Sequence, residues 1–157
     1  MKYVIINPGS DNFEDMCDQC EQGIVLENLR KNGGTLNYSK LTYNSNILIL
    51  CLNDNIPIGF CSLVLNDEVG LYVYQIAVKK IYQKQGIGTR LIEITKHLSE
   101  DLGIKSSAHV MAYNKGSQKT FENCGYLKDE KNSSEEEYFY QYKVLTNKIG
   151  LEEKGLN

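Results

Sequence analysis

The stretch from Leu71 to Leu91 constrains the fold more than any other part of the chain. It begins as an apolar, β-branched run typical of a buried strand, passes through a polar turn that contains Gly86 and Gly88, and continues as an amphipathic helix. Glycines let backbone N–H groups turn toward a ligand, and the unpaired N–H groups of a first helical turn carry partial positive charge. The stretch therefore predicts a strand, an anion-binding turn and a helix that meet at one point.

Three short apolar runs, the last of which leads into this turn, predict an antiparallel meander. The connections between them are only three residues long, and connections that short join antiparallel neighbours. In the third run the aliphatic positions change parity between Val73 and Ile76, which fits a β-bulge as well as it fits a regular strand buried on both faces. The runs are Ile47 to Leu52, Ile56 to Leu65 and Val69 to Val78.

The remaining segments alternate between strand and helix patterns. Tyr3 to Ile6 is a short strand-like run, and Asp11 with Glu14 can form a capping box that starts a first helical region. That region extends in two pieces to about Arg30 and is weakened at Gly23. Downstream, the patterns predict a helix from Ile87 that ends at Gly103, a strand from Ala108 to Tyr113, and a short helix from about Ser117 to Gly125. Two strand-like runs follow, Tyr126–Leu127 and Tyr138 to Leu145, and a charged loop from Asp129 to Glu137 joins them.

Length and composition indicate one domain without a membrane segment. The 157 residues are expected to form a single domain over residues 1–145, followed by a polar tail over residues 146–157. The apolar runs are too short to span a bilayer, and the N-terminus lacks the basic-then-apolar order of a signal peptide, so we expect a cytoplasmic protein. A net charge of -3 and the absence of a basic helix argue against nucleic acid or a membrane as partner.

Cysteine usage favours a reducing compartment over disulfides or a metal site. Five cysteines are an odd number, and without secretory context they suggest free thiols. Cys17 and Cys20 form a single C-x-x-C with no second pair and no histidine at ligand spacing, so we expect them to fill a helix face. We predict no metal site.

The glycine turn becomes informative when it is combined with a second block of sequence. Alone, the pattern Q-x-x-G-x-G over residues 83–88 is weak, since it matches neither a P-loop nor the Gly-x-Gly-x-x-Gly of a dinucleotide fold. About thirty residues later, residues 114–126 read N-K-G-S-Q-K-T-F-E-N-C-G-Y. In order, spacing and flanking elements, over about residues 47–145, the two blocks resemble the GNAT superfamily of acetyl-CoA-dependent N-acetyltransferases.

The resemblance implies a fold and a way of holding acetyl-CoA. The implied fold is mixed α/β (α+β), the GNAT fold, with a central, mostly antiparallel mixed sheet of six to seven strands and about four flanking helices. The turn would hold the pyrophosphate, the backbone of Ile76 and Val78 would bond the pantetheine arm and the thioester carbonyl, and Asn114 and Ser117 would hold the other side of the arm. The cofactor-binding residues implied in this way are Ile76, Ala77, Val78, Gln83, Lys84, Gln85, Gly86, Ile87, Gly88, Thr89, Asn114, Ser117 and Phe121.

Alternative structural roles stay open for several of these and neighbouring residues. Asn114 can instead be a residue of the turn at a strand end, and Ser117 can be a helix cap. We interpret Cys124 as core packing, and both histidines, His97 on a helix surface and His109 in a strand, as structural.

Two positions depart from the family pattern, and both concern proton transfer. The family usually has a tyrosine that protonates the departing thiolate where this chain has Phe121, and many members have a glutamate base where this chain has Tyr74. We therefore assign no catalytic residue from the sequence. The candidates to organise a water for amine deprotonation are Tyr72, Tyr74, Tyr113 and Glu68, although packing or a solvated turn is the favoured interpretation of each.

The sequence thus predicts direct acetyl transfer from acetyl-CoA to a primary amine of a small molecule or a peptide or protein. The alternative is a catalytically weak or inactive acetyl-CoA-binding module that acts through protein contacts. The acceptor is undetermined, because the family selects it in regions that correspond to residues 11–42 and 129–137. Acidic residues between Asp11 and Glu21 either attract a cation or form a solvated helix face, and a homodimer is compatible with the sequence.

Overall fold

The computed structural model describes residues 1–31 and 45–144. The polar tail predicted for residues 146–157 and most of the loop after the first helical region lie outside the described residues. In chain order the elements are β1 (Lys2–Ile6), α1 (Phe13–Cys20), α2 (Leu26–Lys31), β2 (Ile47–Asn53), β3 (Ile56–Asn66), β4 (Gly70–Val78), α3 (Ile87–Leu102), β5 (Ser106–Met111), α4 (Lys115–Asn123), β6 (Leu127–Lys128) and β7 (Glu137–Tyr142).

The described strands form one sheet of seven in the order β1-β2-β3-β4-β5-β7-β6. All neighbouring pairs are antiparallel except β4 and β5, which run parallel because helix α3 carries the chain across one face between them. The mixed, mostly antiparallel sheet, the meander β2-β3-β4 and the hairpin β6-β7 predicted from the sequence are therefore confirmed.

The two faces of the sheet carry different helices. Leu91 and Ile92 of α3 and Phe121 of α4 pack with Leu71 on one face. On the other face, the α1 region packs against Leu48, Leu50 and Phe60 through a cluster that includes Phe13, Cys17, Cys20 and Ile24. Cys17 and Cys20 are fully buried, as expected for residues that fill a helix face, and all five cysteines are free and buried.

The first helical region begins without the expected capping box. Asn12 is the N-cap residue and makes no side-chain capping bond, because the chain enters the helix from a backbone turn in which Ser10 accepts from the N–H of Phe13. The helix also continues through the weak point at Gly23 as a π-helical turn, Glu21–Val25, which joins α1 to α2.

Several element boundaries differ from their predictions, and hydrogen bonds explain two of the differences. Strand β5 starts two residues earlier than the apolar run, because the hydroxyls of Ser106 and Ser107 donate to the carbonyls of Leu71 and Val69 and make serine compatible with a buried strand. Helix α4 starts at Lys115 rather than near Ser117 because a residue upstream of Ser117 already caps it. In the part of the chain that the structure describes, no helix is long and apolar enough to cross a membrane.

Candidate active site

A β-bulge lies in the middle of β4 and marks the start of the site. Ser62 of β3 pairs with Gln75, and Leu63 pairs with Val73, so Tyr74 is an extra residue on β4. This arrangement confirms the bulge reading of the parity change in the sequence and excludes a regular strand. A bulge bends the strand and re-aims the side chains that follow it.

Beyond the bulge, β4 and β5 separate and open a cleft. The two strands pair over only three residues each, ending with Val73 opposite Ala108. The cleft between them has a volume of about 330 Å³ and is closed at one side by Asn114, the N-cap of α4, and by Ser117 and Phe121 of that helix. Its other walls come from residues 73–77 of β4, residues 108–111 of β5, Phe60, Val25 and Asn28.

The backbone of β4 faces this cleft at Ile76 and Val78. In an extended strand, successive residues direct their backbone N–H and C=O groups to opposite sides. Because the N–H of Lys79 donates to the carbonyl of Ile58 in β3, the N–H and C=O groups of Val78 and Ile76 point away from β3. The Val78 carbonyl accordingly accepts from side chains on the cleft side, Asn28 Nδ2 at 3.2 Å and Gln83 Nε2 at 3.0 Å. The strand thus offers backbone hydrogen-bonding groups to an extended ligand.

The turn between Gln83 and Thr89 presents backbone N–H groups to open space. Lys84 has φ 63° and Gly86 has φ 84°, and Gly86 is the N-cap of α3 without a side-chain capping bond. A Cβ added at Gly86 or Gly88 would meet nothing within 4 Å. The unpaired N–H groups at the start of α3 and the cleared space before them suit the phosphate groups of a nucleotide cofactor.

Asn114 and Ser117 lie together at the mouth of the cleft. Asn114 is the N-cap of α4, and its Oδ1 accepts from the N–H of Ser117 at 3.1 Å. The cap is therefore Asn114 and not Ser117, and the side chains of both residues line the cleft opposite β4. Asn114 thus combines its capping role with a position beside the predicted cofactor arm.

Phe121 lies at the back of the cleft without a polar atom. It is 2% exposed, stacks on Tyr140 and meets the Tyr126 ring edge-on. The neighbouring hydroxyls are already engaged, since Tyr126 donates to Ser106 and Tyr140 donates to Glu122. Burial raises the pKa of both phenols, which keeps them protonated. Neither tyrosine takes the place of the hydroxyl that Phe121 lacks.

Tyr72 and His109 meet on the face of the sheet opposite α3 and α4. The Tyr72 hydroxyl and His109 Nδ1 are 2.7 Å apart, and His109 lines the cleft. Burial, and next the charge of Glu137, raise the pKa of Tyr72, so its phenol stays neutral. His109 was interpreted as structural, yet the fold places it at the cleft wall.

The other sequence candidates are distributed unevenly around the cleft. Tyr74, the bulge residue, lines it and is 39% exposed. Tyr113 is exposed next to Asn114, whereas Glu68 lies in the β3–β4 turn, at the end of β4 away from the cleft. His97 lies on the surface of α3 with Nδ1 3.2 Å from Glu100.

Cys124 is buried beside the turn from Gln83 to Thr89 and is a poor nucleophile. Its Sγ lies 3.7 Å from the Thr89 carbonyl, and burial, followed by the charge of Glu93, raises the pKa of the thiol. Cys124 does not line the cleft. Within residues 1–31 and 45–144, no group of three or more histidine, cysteine or acidic side chains is arranged to hold a metal ion.

Val25, Asn28 and Gln75 are among the cleft residues that the sequence did not single out. The first two come from the helical region fifty residues upstream of the strand that they approach, and helical spacing does not reveal a partner at that distance. Gln75 follows the bulge, and its Oε1 is buried without a hydrogen-bond partner among the described residues. Such an acceptor in a cleft wall suits an N–H group of a ligand.

The amino-acid sequence of the chain matches a known family. The model of the acetyltransferase (GNAT) family matches residues 15–126, which is more than half of the chain. The protein belongs to this family, and membership implies acyl transfer from acetyl-CoA. No curated protein matches the chain.

Solved structures share the fold at low sequence identity. A proposed GNAT acetyltransferase from Desulfovibrio desulfuricans has a TM-score of 0.70 at 12% identity, over 91% of this chain and 99% of that one. PaiA N-acetyltransferase from Thermoplasma acidophilum, solved with coenzyme A, has a TM-score of 0.63 at 16% identity, over 92% of this chain and 100% of that one. A proposed streptothricin acetyltransferase from Bacillus anthracis, solved with acetyl coenzyme A, has a TM-score of 0.55 at 24% identity, and the match spans 62% of this chain and only 63% of that one.

Proposed function

We propose that this protein is an N-acetyltransferase that moves the acetyl group of acetyl-CoA directly to a primary amine of a small molecule, peptide or protein. The observation that carries the proposal is the parting of β4 and β5 after Val73 and Ala108. It opens a cleft into which the peptide groups of Ile76 and Val78 point, with the free N-terminus of α3 close to the end of β4. An extended thioester cofactor with a phosphate group at its far end fits this combination.

Each part of the site has a chemical task in this proposal. The N–H groups from Gly86 to Thr89 bind phosphate, and the cleft-facing N–H groups of β4 stabilise negative charge that develops on a carbonyl oxygen. Asn114 and Ser117 hold the opposite side of the arm. When bound, acetyl-CoA supplies an activated acetyl thioester whose sulfur is the leaving group. Since the amine attacks directly, the buried thiol of Cys124 has no part in the reaction.

A second candidate function is a module that binds acetyl-CoA without transferring the acetyl group. It is favoured by the apolar ring of Phe121 and by the absence of a carboxylate between Gly70 and Val78 of β4. A general acid typically contributes about 10²–10⁴-fold, so the loss of one slows a reaction without abolishing it. The thiolate leaving group, with an ordinary thiol pKa of about 8.5, can also depart unprotonated. Catalysis therefore remains the primary proposal.

Two measurements on the same protein test the proposal. Calorimetric titration with acetyl-CoA reports binding, and a thiol-reactive dye reports release of coenzyme A in the presence of spermidine, kanamycin, lysine or a peptide with a free N-terminus. The proposal expects binding and amine-dependent thiol release with at least one of these acceptors. Binding without turnover on any amine supports the non-catalytic module, and the absence of binding overturns both functions.

A further inference from the structure

Tyr72 and His109 form a hydrogen bond near the cleft that has no role in the fold or in the proposed cofactor site. Tyr72 comes from β4, two residues before the bulge residue Tyr74, and His109 comes from β5, one residue after the last rung that joins the two strands. The hydroxyl and Nδ1 are 2.7 Å apart, a short hydrogen bond for an oxygen and a ring nitrogen. The pair therefore lies at the vertex where the two strands separate.

The surroundings of His109 leave one ring nitrogen available. Its ring packs on Phe139 of β7 at 4.7 Å and meets Tyr72 at 5.6 Å, and the residue is exposed at the cleft wall. Nδ1 is engaged by Tyr72, whereas no described residue forms a hydrogen bond with Nε2. A histidine at a cleft wall that is held through one nitrogen, with no described partner at the other, has the arrangement of a proton acceptor.

The titratable groups around the pair come from two strands. From β4 these are Tyr72 and Tyr74, and from β7 it is Glu137, whose charge acts on Tyr72. The residues of the first helical region that line the cleft, Val25 and Asn28, carry no charge. The described titratable groups around the pair are therefore phenols and one carboxylate.

We propose that His109 is the general base that takes the proton of the attacking amine and that Tyr72 is the positioning residue that holds its ring. This inference rests on the proposed transferase function. In the tautomer required, Nδ1–H donates to the Tyr72 oxygen and Nε2 carries the free electron pair. As the C–N bond forms and the C–S bond breaks, the electron pair leaves on sulfur and the amine proton moves to Nε2. The imidazolium then returns that proton to solvent.

Other groups at the cleft are less suited to this role. Tyr72 does not line the cleft, and its phenol is held neutral by burial and by the charge of Glu137. Tyr74 offers only another phenol, a kind of side chain that in general accepts protons poorly near neutral pH. Histidine is the side chain whose ordinary titration lies between pH 5 and 8, so it can both accept and return a proton there.

The test compares His109→Gln and Tyr72→Phe with His97→Gln, a control at the exposed histidine on α3. The acceptor is the fastest of spermidine, kanamycin, lysine and the free peptide, and kcat/KM is measured as a function of pH. His109→Gln should lower kcat/KM by about 10²–10⁴-fold and remove the ionisation that limits the rate at low pH. Its deficit should shrink as the pH approaches the pKa of the amine, because the amine then loses its proton without help.

Tyr72→Phe should lower kcat/KM by about 10–100-fold, since it removes one hydrogen bond to a group that becomes charged. It should leave the low-pH ionisation present. All three variants should bind acetyl-CoA as the unmodified protein does, which excludes unfolding as the cause. A low-pH ionisation that persists in His109→Gln, or a loss no larger than that of His97→Gln, overturns the role of His109 alone. Failure of the unmodified protein to acetylate any of the four amines overturns the transferase proposal and this inference together.

Discussion

Asn28 Nδ2 donates a hydrogen bond to the carbonyl oxygen of Val78 at 3.2 Å, across fifty residues of chain. The same oxygen accepts from Gln83 Nε2 at 3.0 Å. One carbonyl group at the end of β4 thus accepts hydrogen bonds from the first helical region, which lines the cleft, and from the turn that precedes α3. The contact fixes α2 against the strand that is expected to hold the cofactor arm.

Replacement of Asn28 should loosen this junction. Asn28→Ala removes one donor and should lower the free energy of unfolding by about 0.5–1.5 kcal/mol. Asn28→Asp should cost more, because a carboxylate cannot donate to the Val78 carbonyl and repels it. Urea unfolding followed by circular dichroism measures both. Gln19→Ala, which removes an exposed bond to Asp15, is the control and should change stability by less than about 0.5 kcal/mol. An Asn28→Asp variant as stable as the unmodified chain would contradict the assignment.

A substitution at Gly88 should affect cofactor binding without affecting the stability of the fold. It lies in the first turn of α3, and a Cβ there would meet nothing within 4 Å, so the fold has room for a larger residue. Valine and glycine differ by only a few tenths of a kcal/mol in helix propensity. Gly88→Val should therefore leave the free energy of unfolding within about 0.5 kcal/mol of its original value.

The same substitution should weaken acetyl-CoA binding by about tenfold or more, because the branched side chain fills the space before the free N–H groups of α3. Gly88→Ala is the matched control and should have a smaller effect, since a single methyl group fills less of that space. Calorimetry measures the affinity, and urea unfolding measures the stability. Equal affinity for all three proteins would show that no phosphate is bound at this turn.

Local patterns predicted the parts of the site that one segment builds by itself. The parity change between Val73 and Ile76 fitted a bulge as well as a regular strand, and the structure shows the bulge. The two glycines before a helical stripe predicted a turn that leads into a helix, and the structure shows this turn before α3. Both features depend on the conformation of a few consecutive residues, which the side-chain types dictate directly.

Contacts between distant segments were not predictable by this reasoning. His109 looked like any strand residue, because its partner Tyr72 is thirty-seven positions away and the pairing depends on the β4–β5 register. The early start of β5 was missed for a related reason, since Ser106 is polar in the sequence but is satisfied by a carbonyl of the neighbouring strand. Hydrophobic periodicity indicates which residues are buried, but it does not indicate which polar groups form hydrogen bonds with each other.

Alkaline pH should destabilise the protein through its buried thiols. Cys61 is fully buried with Sγ 3.7 Å from the Thr95 hydroxyl, and burial raises the pKa of the thiol from its ordinary 9.0 to about 12. Between these two values the folded chain binds more protons than the unfolded chain. The free energy of unfolding is therefore unaffected by this group below the ordinary pKa and falls as the pH rises above it, by at most about 1.4 kcal/mol per pH unit.

Cys61→Ala should remove this part of the slope, although its cavity lowers stability at every pH. The measurement is urea unfolding over a series of alkaline pH values with a reducing agent present. Part of the slope should remain, because burial also raises the pKa of Cys20 well above its ordinary value. An unchanged slope in Cys61→Ala would contradict the account.

Phe121 decides whether protonation of the departing thiolate limits the reaction. Its ring forms the back wall of the cleft, and the hydroxyls of Tyr126 and Tyr140 beside it are engaged elsewhere. Phe121→Tyr restores the hydroxyl that the family usually has and should raise kcat, by up to about 10²-fold if proton transfer to sulfur is the slow step. Stopped-flow or steady-state thiol release measures kcat, and calorimetry should show an unchanged affinity for acetyl-CoA. Phe13→Tyr, in the cluster on the other face, is the control for a hydroxyl added to the core. If kcat is the same in Phe121→Tyr as in the unmodified protein, the thiolate leaves without a general acid. Deprotonation of the amine is then the proton transfer that the site must assist.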